Sequence, residues 1–204
     1  MQLQKENEDE VPDLGPITVR KARLGDEKGV YEVACSVSCG KKDSHKGFLM
    51  DNYSEDPQYY LEYFRDRIKN LNYFFVAEMY GRIVGFTLSY RKSMWVRYNP
   101  EWIRSIKWHP AFKKRYLEDF VLIDKIAVSA DYTGEGIGGM IENKLKRQMK
   151  AQGVRHILSE TLVDPTPNLA SISFREKQDY RIAGMRYEEY KGEYYTDLVY
   201  WKKI

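Results

Sequence analysis

The stretch Val121-Leu-Ile-Asp-Lys-Ile-Ala-Val128, Ser129-Ala-Asp-Tyr-Thr-Gly134-Glu-Gly136-Ile-Gly138-Gly139 and Met140-Ile-Glu-Asn-Lys-Leu145 decides the fold. Its first part is an apolar run of strand length, its middle a glycine-rich loop, its last part an amphipathic helix. Ile137, Ile141, Leu145 and Met149 recur every four residues as one apolar stripe, which assigns Lys144, Lys146, Arg147 and Lys150 to solvent. The first N–H groups of a helix have no partner within it, and the helix dipole adds partial positive charge there. Glycines at that end let a ligand approach the backbone, so the loop is suited to cradle a phosphate or pyrophosphate. The order Gly134, Gly136, Gly138, Gly139 lacks the spacing of a dinucleotide fingerprint, and the Lys-Ser/Thr pair of a P-loop is missing. The phosphate is expected to belong to something other than NAD or ATP.

Outward from this stretch, Gly153 ends the helix and His156 to Val163 is a strand, parallel to Val121–Val128 by the right-handed crossover rule. Pro165 and Pro167 break it, and Asn168 opens a short helix from Leu169 to Lys177. Tyr180 to Tyr190 and Tyr194 to Trp201 form a closing hairpin around Lys191-Gly192. On the N-terminal side, Ile17 to Ala22 is a strand, and Asp26 is placed to cap a helix carrying Val30, Val33, Ala34 and Val37. Ser38 to Glu55 is a loop too long for a plain connector. Asp56-Pro57 then starts a helix with Tyr60, Phe64, Ile68 and Leu71 as its buried stripe, and Tyr73–Tyr80 with Ile83–Tyr90 is a hairpin. The segment at about 94–119 is an aromatic insertion holding Trp95, Trp102 and Trp108, in which Asn99-Pro100 and His109-Pro110 each read as the start of a short helix. It either packs its aromatics on the domain, or forms a lid or wall of an acceptor site or the surface of a homodimer. The fold class is α+β, with a mixed, mostly antiparallel central sheet, one parallel βαβ crossover and flanking helices.

The 204 residues suit a single domain at 17–204 behind a flexible acidic tail at 1–16, where Lys5 faces Glu6, Glu8, Asp9, Glu10 and Asp13. A net charge of +3 does not argue for nucleic acid, although a basic body suits a polyanionic cofactor. The basic residues of the insertion (Arg97, Arg104, Lys107 and Lys113 to Arg115) read as a solvated face. No stretch reaches the roughly 18–20 apolar residues of a membrane span, and the N-terminus does not resemble a targeting peptide. Cys35 and Cys39 lie without a neighbouring His or second Cys pair, so they read as free thiols in a reducing cytoplasm rather than a metal site.

The element order and two motifs resemble the GNAT superfamily of acetyl-CoA-dependent N-acetyltransferases, over about Ile17 to Ile204. Asp124-Lys-Ile-Ala-Val-Ser-Ala-Asp-Tyr-Thr-Gly-Glu-Gly-Ile-Gly is similar to the family's (E/D)-x-(I/L)-A-V-x-P-x-(Y/W)-(R/Q)-G-x-G-(I/V)-G. Asn168-Leu-Ala-Ser171-Ile-Ser-Phe174-Arg-Glu-Lys177 with Tyr180 is similar to N-x-x-(A/S)-x-x-F-Y-x-K-x-G-F. The resemblance implies that the pyrophosphate of coenzyme A sits on Gly134, Glu135, Gly136, Ile137, Gly138 and Gly139. It implies that the pantetheine arm runs where the two parallel strands splay, against Ile126, Ala127 and Val128, with an oxyanion donor near Val128. Asn168, Phe174, Arg175 and Lys177 complete the cofactor contacts; no metal is implied. The acceptor is a small-molecule or protein amine that attacks directly. Its walls come from Ser38–Glu55 and the last hairpin.

Asp124 matches the family's catalytic carboxylate and is one of few charges in its apolar run, so it is the candidate base; Glu160, on the neighbouring strand, is the alternative. Asn168 also has a purely structural reading as a helix cap, and Lys177 one as a solvated lysine. Two positions depart from the pattern. Thr133 replaces the Arg or Gln that opens the loop, and Arg175 replaces the Tyr that protonates the departing thiolate. Arg175 could instead stabilise that thiolate. These departures also admit a non-catalytic coenzyme A sensor of the same fold. The aromatics and few carboxylates of the expected acceptor walls argue against a polycation and for a planar or apolar acceptor.

Overall fold

The computed structural model describes residues 16–38, 40 and 42–204, so the acidic tail up to Gly15 and Cys39 lie outside the described residues. Eight strands, β1 (Ile17–Lys21), β2 (Tyr73–Met79), β3 (Arg82–Arg91), β4 (Ile106–Trp108), β5 (Val121–Val128), β6 (His156–Asp164), β7 (Arg181–Tyr190) and β8 (Glu193–Lys203), form one sheet. Its order is β1-β2-β3-β5-β6-β8-β7-β4, and only β5 and β6 run parallel. The helices are α1 (Glu27–Ser36), α2 (Pro57–Asn70), α3 (Lys92–Tyr98), α4 (Trp102–Ser105), α5 (Ile137–Ala151) and α6 (Leu169–Lys177). None of the described helices is long and apolar enough to cross a membrane.

Alternation along β5 divides its side chains between the two faces of the sheet. Val121 and Ile123 pack with Ile137, Ile141, Leu145 and Met149 of α5. Leu122 faces the other way, against Trp102, Phe120, Leu158 and Val199. On that second face α1 and α2 cover β2 and β3, through Val30, Val33, Phe64 and Ile68 against Phe74, Val76, Phe86 and Leu88. Both expected hairpins form; the second turns at Lys191-Gly192 as read, and the first at Tyr80-Gly81, one residue before the expected Gly81-Arg82, all four turn residues being at positive φ. Helix α5 ends in a Schellman motif: Val154 N–H donates to Met149 C=O at 3.0 Å and Gly153 N–H to Lys150 C=O at 3.1 Å.

Three local expectations are corrected. Asp26 does not cap α1; it accepts the Arg23 N–H at 2.8 Å and is ion-paired with Arg20, whose long side chain reaches it first. Lys146 does not simply face solvent, because it turns back to Glu142 one helical turn earlier, at 3.4 Å. His109-Pro110 starts no helix. The three residues before it are instead strand β4, paired with β7 at the sheet's edge. That close approach needs Gly184, where an added Cβ would lie 2.8 Å from Ile106 Cγ2. Asn99 closes α3 by donating to Trp95 C=O at 2.9 Å, and Pro100 leads into the single turn of α4. The segment therefore does pack its aromatics, with Trp102 and Trp108 in one cluster with β6 and β8.

Candidate active site

Strands β5 and β6 share three rungs, Val121↔Ile157, Leu122↔Leu158 and Ile123↔Ser159, and then part. Asp124 and Glu160, the two candidate bases, are the next residues on each strand, so they stand on opposite lips of the opening. The kink that opens it is a β-bulge: on β3, Ser89 faces Ile123 but Leu88 faces Lys125, leaving Asp124 as the extra residue. Beyond Ile123 the β6-side edge of β5 has no strand partner, so its backbone groups are free for a ligand.

The opening leads into a cavity of about 1320 Å³ with two ends. At one end lie Thr133, Gly134, Gly136, Ile137, Gly138 and Gly139, with Asn168, Phe174 and Lys177 from α6. Gly134 and Gly136 have φ of +98° and +77°, which L side chains rarely adopt, and Gly136 is the N-cap of α5. The N–H groups of Ile137, Gly138 and Gly139 follow it with no partner in the preceding turn. Ile126, Ala127 and Val128 line the passage; Glu135 does not line the cavity.

The α6 residues behave less uniformly. Asn168 caps the helix by accepting the Ser171 N–H at 3.1 Å, and donates to Phe48 C=O at 2.9 Å, tying the loop 38–55 to α6. Phe174 lies over Gly138, where an added Cβ would meet its ring at 3.2 Å. Lys177 is exposed at the rim. Arg175 is only 2% exposed; its guanidinium is turned between α5 and α6, 3.7 Å from the fully buried Glu142 and over the rings of Phe174 and Tyr180. Arg175 is also among the residues lining the cavity, but its guanidinium is set towards Glu142, which offsets part of its charge.

The other end is charged. Because of the bulge, Lys125 shares a face with Asp124: its ammonium stands 3.2 Å from Asp124 and 3.9 Å from Asp51. Burial pulls Lys125 down, but Asp124, Tyr63, Tyr53 and Asp51 outweigh it and hold the group well above the ordinary lysine value. Glu160 accepts from Arg186 through both oxygens, at 2.6 and 3.2 Å. Arg186 also donates to Glu188 at 2.6 Å and lies 3.7 Å from Asp197. Burial raises the Glu160 carboxyl despite Arg186. Burial, then the charges of Glu160 and Glu188, push Asp197 up to about 7. Walls of this end come from the loop 38–55 (Phe48, Leu49, Met50), from the insertion (Trp95, Trp102) and from Tyr187 to Tyr190 of β7. The expected shortage of carboxylates in the acceptor walls is thus corrected.

Asp51, Lys125, Arg186, Glu188 and Asp197 were not singled out from the sequence. The criterion that finds Asp124 also finds Asp197, a lone charge in the apolar run Tyr195 to Trp201.

The family model described as the acetyltransferase (GNAT) family matches residues 42–180. The chain belongs to that family. It is an acyltransferase by that membership, and the family's cosubstrate, acetyl-CoA, fits the site: the N–H cradle at Gly136–Gly139 suits a pyrophosphate, and the free edge of β5 suits an extended amide-bearing arm. Comparison with curated protein sequences gives no match. Among solved structures, the Drosophila melanogaster polyamine N-acetyltransferase, an enzyme that forms N-acetylagmatine, superposes with a TM-score of 0.64 at 11% identity, covering 93% of this chain and 100% of its own. The Thermoplasma acidophilum PaiA N-acetyltransferase, in complex with coenzyme A, gives 0.60 at 19% identity, covering 93% and 99%. The Escherichia coli ribosomal-protein-S18-alanine N-acetyltransferase gives 0.58 at 14% identity, covering 93% and 94%. At these identities the likeness is one of fold.

Proposed function

We propose that this GNAT member transfers the acetyl group of acetyl-CoA to a primary amine by direct attack in a ternary complex. One observation carries the reading. A single cavity joins the N–H cradle of α5, through the gap between β5 and β6, to a chamber with Asp124 and Glu160 at its entrance. Acetyl-CoA, when bound, supplies an acetyl group activated as a thioester.

The chain's own residues do the rest. The N–H groups at Gly136 to Gly139 hold the pyrophosphate, and the free edge of β5 from Lys125 to Val128 orients the arm. A backbone N–H on that edge, near Val128, is the donor for negative charge developing on the acetyl oxygen. Asp124 takes the proton from the incoming ammonium, directly or through a water. Glu160 is the weaker candidate, because Arg186 occupies both of its oxygens. The small amine of the Drosophila enzyme and the ribosomal protein of the Escherichia coli enzyme represent the two acceptor classes that such a chamber could serve.

The test is free-thiol release from acetyl-CoA across a panel of amines, with the wild type and Asp124→Asn. The expected result is turnover by the wild type and a kcat lowered about a hundredfold in the variant. Tight coenzyme A binding without turnover of any amine would make the domain a sensor, and full activity in Asp124→Asn would move the base elsewhere.

A further inference from the structure

The acceptor chamber is short of positive charge. Asp51, Asp124, Glu160, Glu188 and Asp197 line it from a loop and four strands, and Lys125 and Arg186 are the cations set among them. Each cation is shared. Lys125 divides its contacts between Asp124 and Asp51, and Arg186 commits three of its nitrogens to Glu160, Glu188 and Asp197. The last of these contacts is weak: Asp197, a residue of the cavity lining, has its Oδ2 buried with Arg186 Nη2 3.7 Å away, beyond bonding reach, and its other close neighbour is the Glu188 carboxyl. Carboxyls crowded together with one shared guanidinium are costly to ionise, and a cation entering the chamber offsets that cost.

The carboxylates also fall into two groups. Asp124 and Asp51 surround Lys125 on the β5 side, whereas Glu160, Glu188 and Asp197 surround Arg186 on β6, β7 and β8. Strands lie about 4.8 Å apart, so Asp124 on β5 and Asp197 on β8, two strands over, are separated by roughly 10 Å, more where β5 and β6 part. The walls include Phe48, Trp95 and Trp102, which offer apolar surface to a hydrocarbon stem.

We infer that the acceptor is a linear dication: a primary amine joined by a short methylene chain to a second cationic group, the amine presented to Asp124 and the distal cation held by Glu160, Glu188 and Asp197. This rests on the transferase reading above and adds the acceptor's chemistry to it. The distal charge offsets the crowding of Glu160, Glu188 and Asp197 around one guanidinium, and its attraction is larger in the desolvated chamber than in bulk water.

The test compares putrescine, butylamine and γ-aminobutyrate, which share a four-carbon scale and carry a positive, neutral or negative distal end, together with a peptide of uncharged side chains and a free N-terminus. Putrescine is expected to have the highest kcat/KM, about tenfold or more above butylamine, the scale of one charge-assisted hydrogen bond, with γ-aminobutyrate lower still. In Asp197→Asn and, independently, in the more exposed Glu188→Gln, the putrescine-to-butylamine ratio should fall towards one. Calorimetry of putrescine binding to the coenzyme A-loaded protein should show the same ranking without turnover. Butylamine, γ-aminobutyrate or the peptide being acetylated as well as putrescine would overturn this inference and leave the transferase intact. Acetylation of none of them, with coenzyme A bound, would also overturn this inference, while the transferase reading falls only if the wider amine panel fails too.

Discussion

The ammonium of Lys125 lies 3.2 Å from the carboxylate of Asp124, the residue before it in the chain. Consecutive residues of a regular strand point to opposite faces, so this contact exists only because the bulge at Asp124 turns both to one side. The same bulge parts β5 from β6. A single irregularity therefore opens the passage and places a carboxylate–ammonium pair at its end.

Lys125→Met tests that pairing. It leaves Asp124 and Asp51 facing each other without their shared cation, and should lower stability by roughly 1–3 kcal/mol. The kcat should fall as well, because Asp124 loses the ammonium that fixes its carboxylate at the passage. Urea melts and steady-state kinetics together check it; an unchanged kcat would separate Asp124 from catalysis.

Gly136→Ala tests the cradle. The N-cap of α5 sits at φ +77°, where an alanine is strained by about 1–2 kcal/mol. Relief of that strain re-aims the N–H groups of the first turn. Coenzyme A affinity, read by calorimetry, should fall about tenfold, with kcat at saturation much less affected. Unchanged affinity would remove the pyrophosphate from this loop.

Arg175→Leu tests a structural role at a position where the family carries a tyrosine. It leaves Glu142, which is fully buried, with Lys146 as its remaining cation at 3.4 Å. The expected cost is about 3 kcal/mol, recovered in large part when Glu142→Leu is added, since removing both charges avoids an unpaired one. A loss confined to kcat, with no change in the urea midpoint, would return the guanidinium to the thioester.

Asp197 should make stability depend on pH. Its carboxyl is held near 7 in the folded chain by burial and by Glu160 of β6 and Glu188 of β7, against the pull of Arg186, and titrates near 3.8 when unfolded. The folded state then binds the proton more tightly, so Asp197 weakens the fold progressively as pH rises from about 4 to about 7, and fully above that. Asp197→Asn should raise the Tm at pH 8, by the equivalent of roughly 1–3 kcal/mol, and leave it unchanged at pH 4. Equal effects at both values would remove the raised carboxyl from the argument.

The parts of the molecule that could be read in advance are those written locally. The strand, loop and helix from Val121 to Met149, the Asp56 and Asn168 caps and both hairpin turns depend on residues within a turn or two of each other. Strand β4 could not be read that way, since its three residues owe their conformation to β7, some seventy-five positions later. The bulge is likewise a matter of register between β3 and β5. The acidic chamber escaped for a related reason: its carboxylates come from a loop and four strands, and Arg186 or Asp197 alone looks like an ordinary hairpin residue. Asp124 was reached through the family motif, but its partner Lys125 was not, because alternation assigns that side chain to the wrong face.

The two bonds that Asn168 makes have a consequence for how the site can respond. Its amide group fastens the loop 38–55 to α6, and Ala170 N–H adds a second fastening to Ser44 C=O at 2.9 Å. The wall of the acidic chamber therefore hangs from the helix that flanks the glycine loop. A shift of α6 would draw on the loop at Phe48 and Ser44 through these two bonds. Thermodynamic reciprocity then requires the amine to alter the affinity for acetyl-CoA by the same factor as acetyl-CoA alters that for the amine.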